Sequence, residues 1–327
     1  MLETCILLIG GLALLIAGGE LLVRGAVQVA SRLGVSPLVV GLTLVAFGTS
    51  TPELVTSMQA ALAEAPGIAY GNIVGSNIAN ILLIGGVASI LWPIAISSKA
   101  LKRDGFVMLA VCVVFASLAA LMPLGRLVGA GFVAALILYI YVAFRQERAA
   151  LAIEHGAVFG KSQALQQADR ALVPHQVPQG SIALPAFIAL GGICLVLLGG
   201  KLLVNGAVAL ARGSGISEAV IGLTIVAFGT STPELVTSIV AALKRQGDVA
   251  FGNIVGSNIY NVLGIGGATA LVAPGSAPHP LIDFGNLLVI GVSLVFLAFA
   301  YTSLRVGRRE GIVLLAGYGA YVYLIWP

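Results

Sequence analysis

The sequence predicts an all-α integral membrane protein, with ten transmembrane helices forming two inverted five-helix repeats. Three observations predict it. Of 327 residues, 59% are hydrophobic and only 9% charged, where a soluble domain carries roughly a quarter charged residues. The apolar residues fall in long runs rather than ten-residue alternating segments, which favours helices over a barrel, because each helix closes its own backbone hydrogen bonds in lipid. The stretch Gly41 to Leu62, GLTLVAFGTSTPELVTSMQAAL, returns 181 residues later as GLTIVAFGTSTPELVTSIVAAL, identical at 19 of 22 positions.

At about 20 apolar residues per span, helices are expected near 4–31, 36–63, 68–91, 105–121, 125–144, 182–211, 217–243, 249–273, 284–304 and 310–326. The first run carries Glu3, lacks a basic start and stays apolar to about Ala30, so it reads as a retained span rather than a cleaved signal peptide. The 42 glycines suit close helix packing. Cys5, Cys112 and Cys194 each sit in an apolar run and read as small core residues. Between the halves, 1–145 and 182–327, residues 146–181 form a polar linker.

One set of loops carries Arg32, Lys99, Lys102, Arg103, Arg145, Arg148, Lys161, Arg170, Lys244, Arg245, Arg305, Arg308 and Arg309, while the opposite set carries only Arg126 and Arg212. The positive-inside rule makes the richer set cytoplasmic and both termini extracytoplasmic, in a cell inner (cytoplasmic) membrane. The net charge of +4 therefore belongs to loops and does not indicate nucleic acid. With five spans per half, the second half enters from the opposite side, so the repeats are inverted. The offset of 181 also aligns Gly18-Gly19 with Gly199-Gly200 and Gly71–Ile78 with Gly252–Ile259. Inverted repeats with proline- or glycine-interrupted helices at matching positions mark a secondary transporter with its site near the midplane.

Within the repeat core, Pro52 removes a backbone donor and Gly48 eases unwinding, so the helix is expected to break and free carbonyls near Ala46 and Phe47. Glu53, Thr49 and Ser50 add side-chain oxygens, and Ala227, Thr230, Ser231 and Glu234 repeat the set. The following span places Asn72, Ser76 and Asn80 four apart on one face, matched by Asn253, Ser257 and Asn261. These faces are expected to close the site opposite the glutamates. Small polar residues also glue helices together, and that reading stays open for Asn72, Asn77, Asn253 and Asn258. It fits the glutamates poorly, because an unpaired intramembrane carboxylate costs several kcal/mol and neither core holds a Lys or Arg. Hard oxygen donors without Cys or His point to Na⁺, Ca²⁺ or H⁺. Two carboxylates would balance one Ca²⁺.

Glu20 and Arg24, four apart, are expected to pair with each other, and Lys201, aligned with Glu20, to snorkel or find a partner on another helix. His155, His175 and His279 fall in presumed loops, and Asp283 and Glu218 at span ends.

The paired AFGTSTPELVTS and GNIVGSNI segments resemble the two alpha repeats of the cation/calcium exchanger superfamily, closest to prokaryotic sodium/calcium exchangers. The resemblance implies ion ligands at Thr49, Ser50, Glu53, Ser76 and Asn80, and at Thr230, Ser231, Glu234, Ser257 and Asn261, with the carbonyls of Ala46 and Ala227. It also implies that the first and sixth helices slide against the other eight. Many such exchangers carry aspartate at the position of Asn261, so this chain lacks a third carboxylate.

The function expected is an antiporter extruding Ca²⁺ in exchange for Na⁺, with H⁺/Ca²⁺ exchange as the alternative. A cation channel fits less well, and so does an intramembrane enzyme, since no His-Glu-x-x-His pair is present. Ca²⁺ and Na⁺, with H⁺ as the alternative, are substrates rather than cofactors. Membrane lipid is the surrounding partner, and no obligate protein partner is evident.

Overall fold

A computed structural model describes the backbone of residues 2–165, 181–213, 227–275 and 279–325. It is nearly all helical. Among the described residues, seven helices are long and apolar enough to cross a membrane: Glu3–Leu33, Pro66–Leu91, Ser98–Leu121, Arg126–Glu147, Ala183–Ala209, Gly247–Val272 and Phe284–Ser303. An eighth crossing follows if Pro37–Thr49 and Thr51–Leu62, bent by 48° at their junction, count as one broken span. Thr232–Leu243 and Arg308–Ile325 are further helices at expected positions. Residues 217–226 of the expected seventh span lie outside the described residues, as do His175 and Glu218.

Two helices form the centre. Pro66–Leu91 and Gly247–Val272 bury 83% and 89% of their most apolar windows, against 22% to 39% for the other five. Gly252 and Gly256 bring the second of these onto the backbone of Leu38 and Leu42, where a Cβ on either glycine would fall 2.7 Å from main-chain atoms. The counterpart contacts of Gly71 and Gly75 would fall on 219 and 223, outside the described residues.

The first helix and Ala183–Gly213 pack against each other along their length. Glycines set that approach: a Cβ on Gly25 would lie 2.5 Å from the Ala189 nitrogen, and one on Gly192 2.4 Å from the Leu22 nitrogen. Across this pair runs Thr232–Leu243, whose Val236 and Val240 seat on Gly19. One turn past Val240, Lys244 reaches back to Glu20, with Nζ 2.6 Å from Oε1. This contact overturns the expected Glu20–Arg24 pair, because helix crossing delivers a cation that spacing along one helix does not reveal. Lys201 is exposed and makes no ion pair among the described residues.

Three further differences have physical reasons. The helix expected to end near 144 runs on as Arg126–Leu165, so the polar segment begins in helical form and includes His155. Cys112 is buried as expected, but Cys5 and Cys194 are exposed. Each of those two lies on the outer side of its helix, which an apolar run does not distinguish from the inner side. A two-stranded ribbon pairs Ile94–Ala95 with Arg305–Val306, and a bridge joins Leu124 to Gly275. Pairings this short have no sequence period to be read.

Candidate cation site

Each repeated core segment breaks where proline interrupts the helical ladder, since Pro52 has no N–H for the Gly48 carbonyl four residues back. The chain leaves helix at Ser50 (φ −81°, ψ 12°) and at Ser231 (φ −87°, ψ 6°), and a new helix starts at once in each case. The break therefore falls within the expected segment, between Gly48 and Pro52. The Ala46 carbonyl accepts the Ser50 N–H at 3.0 Å and lies 3.4 Å from the Thr49 hydroxyl, so it is not a freed carbonyl. Ala227 opens the short Ala227–Thr230 helix that precedes the second break.

The two breaks exchange hydrogen bonds. Ser50 Oγ donates to Glu234 Oε1 at 2.8 Å, and Ser231 Oγ donates to Glu53 Oε1 at 3.1 Å. The hydroxyls of Thr49 and Thr230 lie beside Glu234 and Glu53 respectively. Asn72 donates to the Glu53 carbonyl at 3.0 Å and to Ser57 Oγ at 2.8 Å. Asn253 does the same to Glu234 and Ser238 at 3.2 and 2.9 Å. These two amides thus brace the start of each post-break helix rather than face a common site, apart from Asn253 Oδ1, which accepts from Thr49 Oγ1 at 3.3 Å.

Asn80 and Asn261 each open a π-helical stretch, Asn80–Ile84 and Asn261–Gly266, a local widening frequent at functional sites. Their amides bind asparagines of the opposite repeat: Asn80 Nδ2 donates to Asn258 Oδ1 at 3.2 Å, and Asn261 Nδ2 to Asn77 Oδ1 at 3.0 Å. Sequence reasoning left Asn77 and Asn258 open between polar glue and a place in the site. The signal available was their adjacency to Ser76 and Ser257 in both repeats.

Buried polar atoms normally find partners. Seven buried side-chain oxygens here have none among the described residues, and five belong to the expected ligands: Glu53 Oε2, Glu234 Oε2, Asn80 Oδ1, Asn261 Oδ1 and Ser257 Oγ. Four of the five can only accept. Glu53 and Glu234 are 1% and 2% exposed. Another buried acid, Asp104, shows the contrast: it is met by Arg103 at 2.8 and 3.0 Å and by the Tyr139 hydroxyl at 3.0 Å. Ser76 is buried on the same helix as Asn80. A cavity of about 430 Å³ lined by Glu64, Tyr70, Leu124, Thr269 and Pro274 contains neither Glu53 nor Glu234.

Comparison with known proteins identifies the family. The profile of the family described as "Sodium/calcium exchanger protein" matches residues 4–145 and again 184–326. The sodium/calcium exchanger MaX1 of Methanosarcina acetivorans is 35% identical over 342 residues, covering 98% of each chain. The inner membrane protein YrbG of Escherichia coli is 33% identical over 334 residues, covering 100% of this chain and 98% of that one. A solved structure of the sodium-calcium exchanger NCX_Mj, soaked with 10 mM Na⁺ and zero Ca²⁺, aligns with a TM-score of 0.83 at 29% identity, covering 100% of this chain and 99% of that one. With both halves matched by one profile and relatives aligned end to end, this chain belongs to the sodium/calcium exchanger family of multi-pass membrane antiporters.

Proposed function

We propose that the protein exchanges Na⁺ for Ca²⁺ across a cytoplasmic membrane, extruding Ca²⁺ by alternating access. The observation that carries the reading is the set of partnerless acceptor oxygens around two buried, uncompensated carboxylates. Such oxygens are costly to bury unless a hydrogen-bond donor, a proton or a cation meets them, and a site that exchanges cations supplies the last. Ca²⁺ takes six to eight hard oxygens, and the two carboxylates with Thr49, Ser50, Ser76, Asn80, Thr230, Ser231, Ser257 and Asn261 offer more than enough to choose from. Their two negative charges balance one Ca²⁺.

The finer architecture supported by the sequence is ten spans in two inverted repeats, with both termini outside. The equivalent bonds made by Ser50 and Ser231, by Asn72 and Asn253, and by Asn80 and Asn261 support the repeat, and the loop charges support the orientation. Related NCX_Mj structures were soaked with Na⁺, Ca²⁺ and Sr²⁺, which makes these ions the first to assay. In liposomes, an outward Na⁺ gradient should drive radioactive Ca²⁺ uptake, and a pH gradient alone should not. Uptake driven by pH alone would instead assign proton coupling.

A further inference from the structure

We infer that Asn77 and Asn258 are positioning residues of the cation site, each orienting the ligand amide of the opposite repeat so that its oxygen faces the ion. The inference rests on the exchanger reading and deepens it. All four asparagines are buried, between 0% and 2% exposed, so each hydrogen-bonding end has to be accounted for.

The orientation follows from one backbone group. Asn77 Nδ2 donates at 3.3 Å to the Asn258 main-chain carbonyl, which can only accept, so the amino end of Asn77 must point there. Its other end is then Oδ1, which can only accept, and Asn261 must offer Nδ2 to it, as it does at 3.0 Å. That leaves Asn261 Oδ1 as the free end. On the other side Asn258 turns Nδ2 to Met108 Sδ at 3.4 Å and Oδ1 to Asn80 Nδ2 at 3.2 Å, which leaves Asn80 Oδ1 free. Two amide oxygens are thus presented by residues that never touch the ion.

Half-saturating Ca²⁺ and maximal rate of Na⁺-driven uptake should be measured in liposomes for Asn77→Ala, Asn261→Ala and the double variant, and for Asn258→Ala, Asn80→Ala and their double. Losing the orienting bond should raise half-saturating Ca²⁺ about fivefold to tenfold with little change in maximal rate. In each double variant the second substitution should add nothing, because the positioning residue acts only through its ligand. Independent, multiplying effects in both cycles would overturn the inference, as would wild-type half-saturation in both Asn77→Ala and Asn258→Ala. If one variant fails to purify as a monodisperse protein, the other cycle decides alone. Retained uptake in Glu53→Gln would instead sink the exchanger site itself, so the two failures are distinguishable.

Discussion

At the scale of single residues, what matters is which atom of each side chain lacks a partner. Ser231 satisfies Glu53 Oε1 and Ser50 satisfies Glu234 Oε1, and in each case Oε2 remains. Glu53→Gln and Glu234→Gln preserve size and one accepting oxygen while removing a charge and a ligand oxygen. Each should therefore insert and fold normally yet lower Ca²⁺ transport by about a hundredfold or more, the scale of a broken buried charge pairing. Liposome uptake together with size-exclusion behaviour in detergent checks this, and near-normal flux in either variant would remove that residue from the site. The glutamates were legible in the sequence because a carboxylate stands out in an apolar run and the repeat doubles it. The crossed pairing of Asn77 and Asn258 was not, since it depends on which helices touch.

At the scale of elements, the close pairing of the first helix with Ala183–Gly213 depends on glycine where backbones meet. On Gly192 a Cβ would lie 2.4 Å from the Leu22 nitrogen and 2.7 Å from its Cα, and neither atom can swing aside. Gly192→Val should separate the pair and lower the thermal unfolding midpoint in detergent by several degrees, overpacking costs being about 1–3 kcal/mol. On Gly191, which has open space around it, the same change should be silent. The helices themselves were legible from run length, and the break from Pro52 and Pro233. Helix continued past Arg145 because a polar composition does not forbid helix, it only removes the apolar period by which helix is recognised. The outward faces of Cys5 and Cys194 and the Glu20–Lys244 contact required knowledge of packing.

At the scale of the molecule, the basic loops predict that both termini face away from the cytoplasm. Single cysteines placed at residue 2 and in the 146–181 segment, on a background with Cys5, Cys112 and Cys194 replaced, should label oppositely with a membrane-impermeant thiol reagent applied outside whole cells. Labelling only within the linker would reverse the orientation. The two halves are alike in their candidate ligands but unlike in their clasp: where one has Glu20 held to Lys244, the equivalent positions are Lys201 and Ala63. A pair this exposed is worth about 0.2–1 kcal/mol, so it can tilt two otherwise matched orientations by no more than about fivefold. On the alternating-access reading, a clasp made in one orientation alone would leave the exchanger resting unevenly between its two openings, and Ca²⁺ presented to one face would meet more ready sites than Ca²⁺ presented to the other. Raising ionic strength screens the clasp and draws the two faces toward parity.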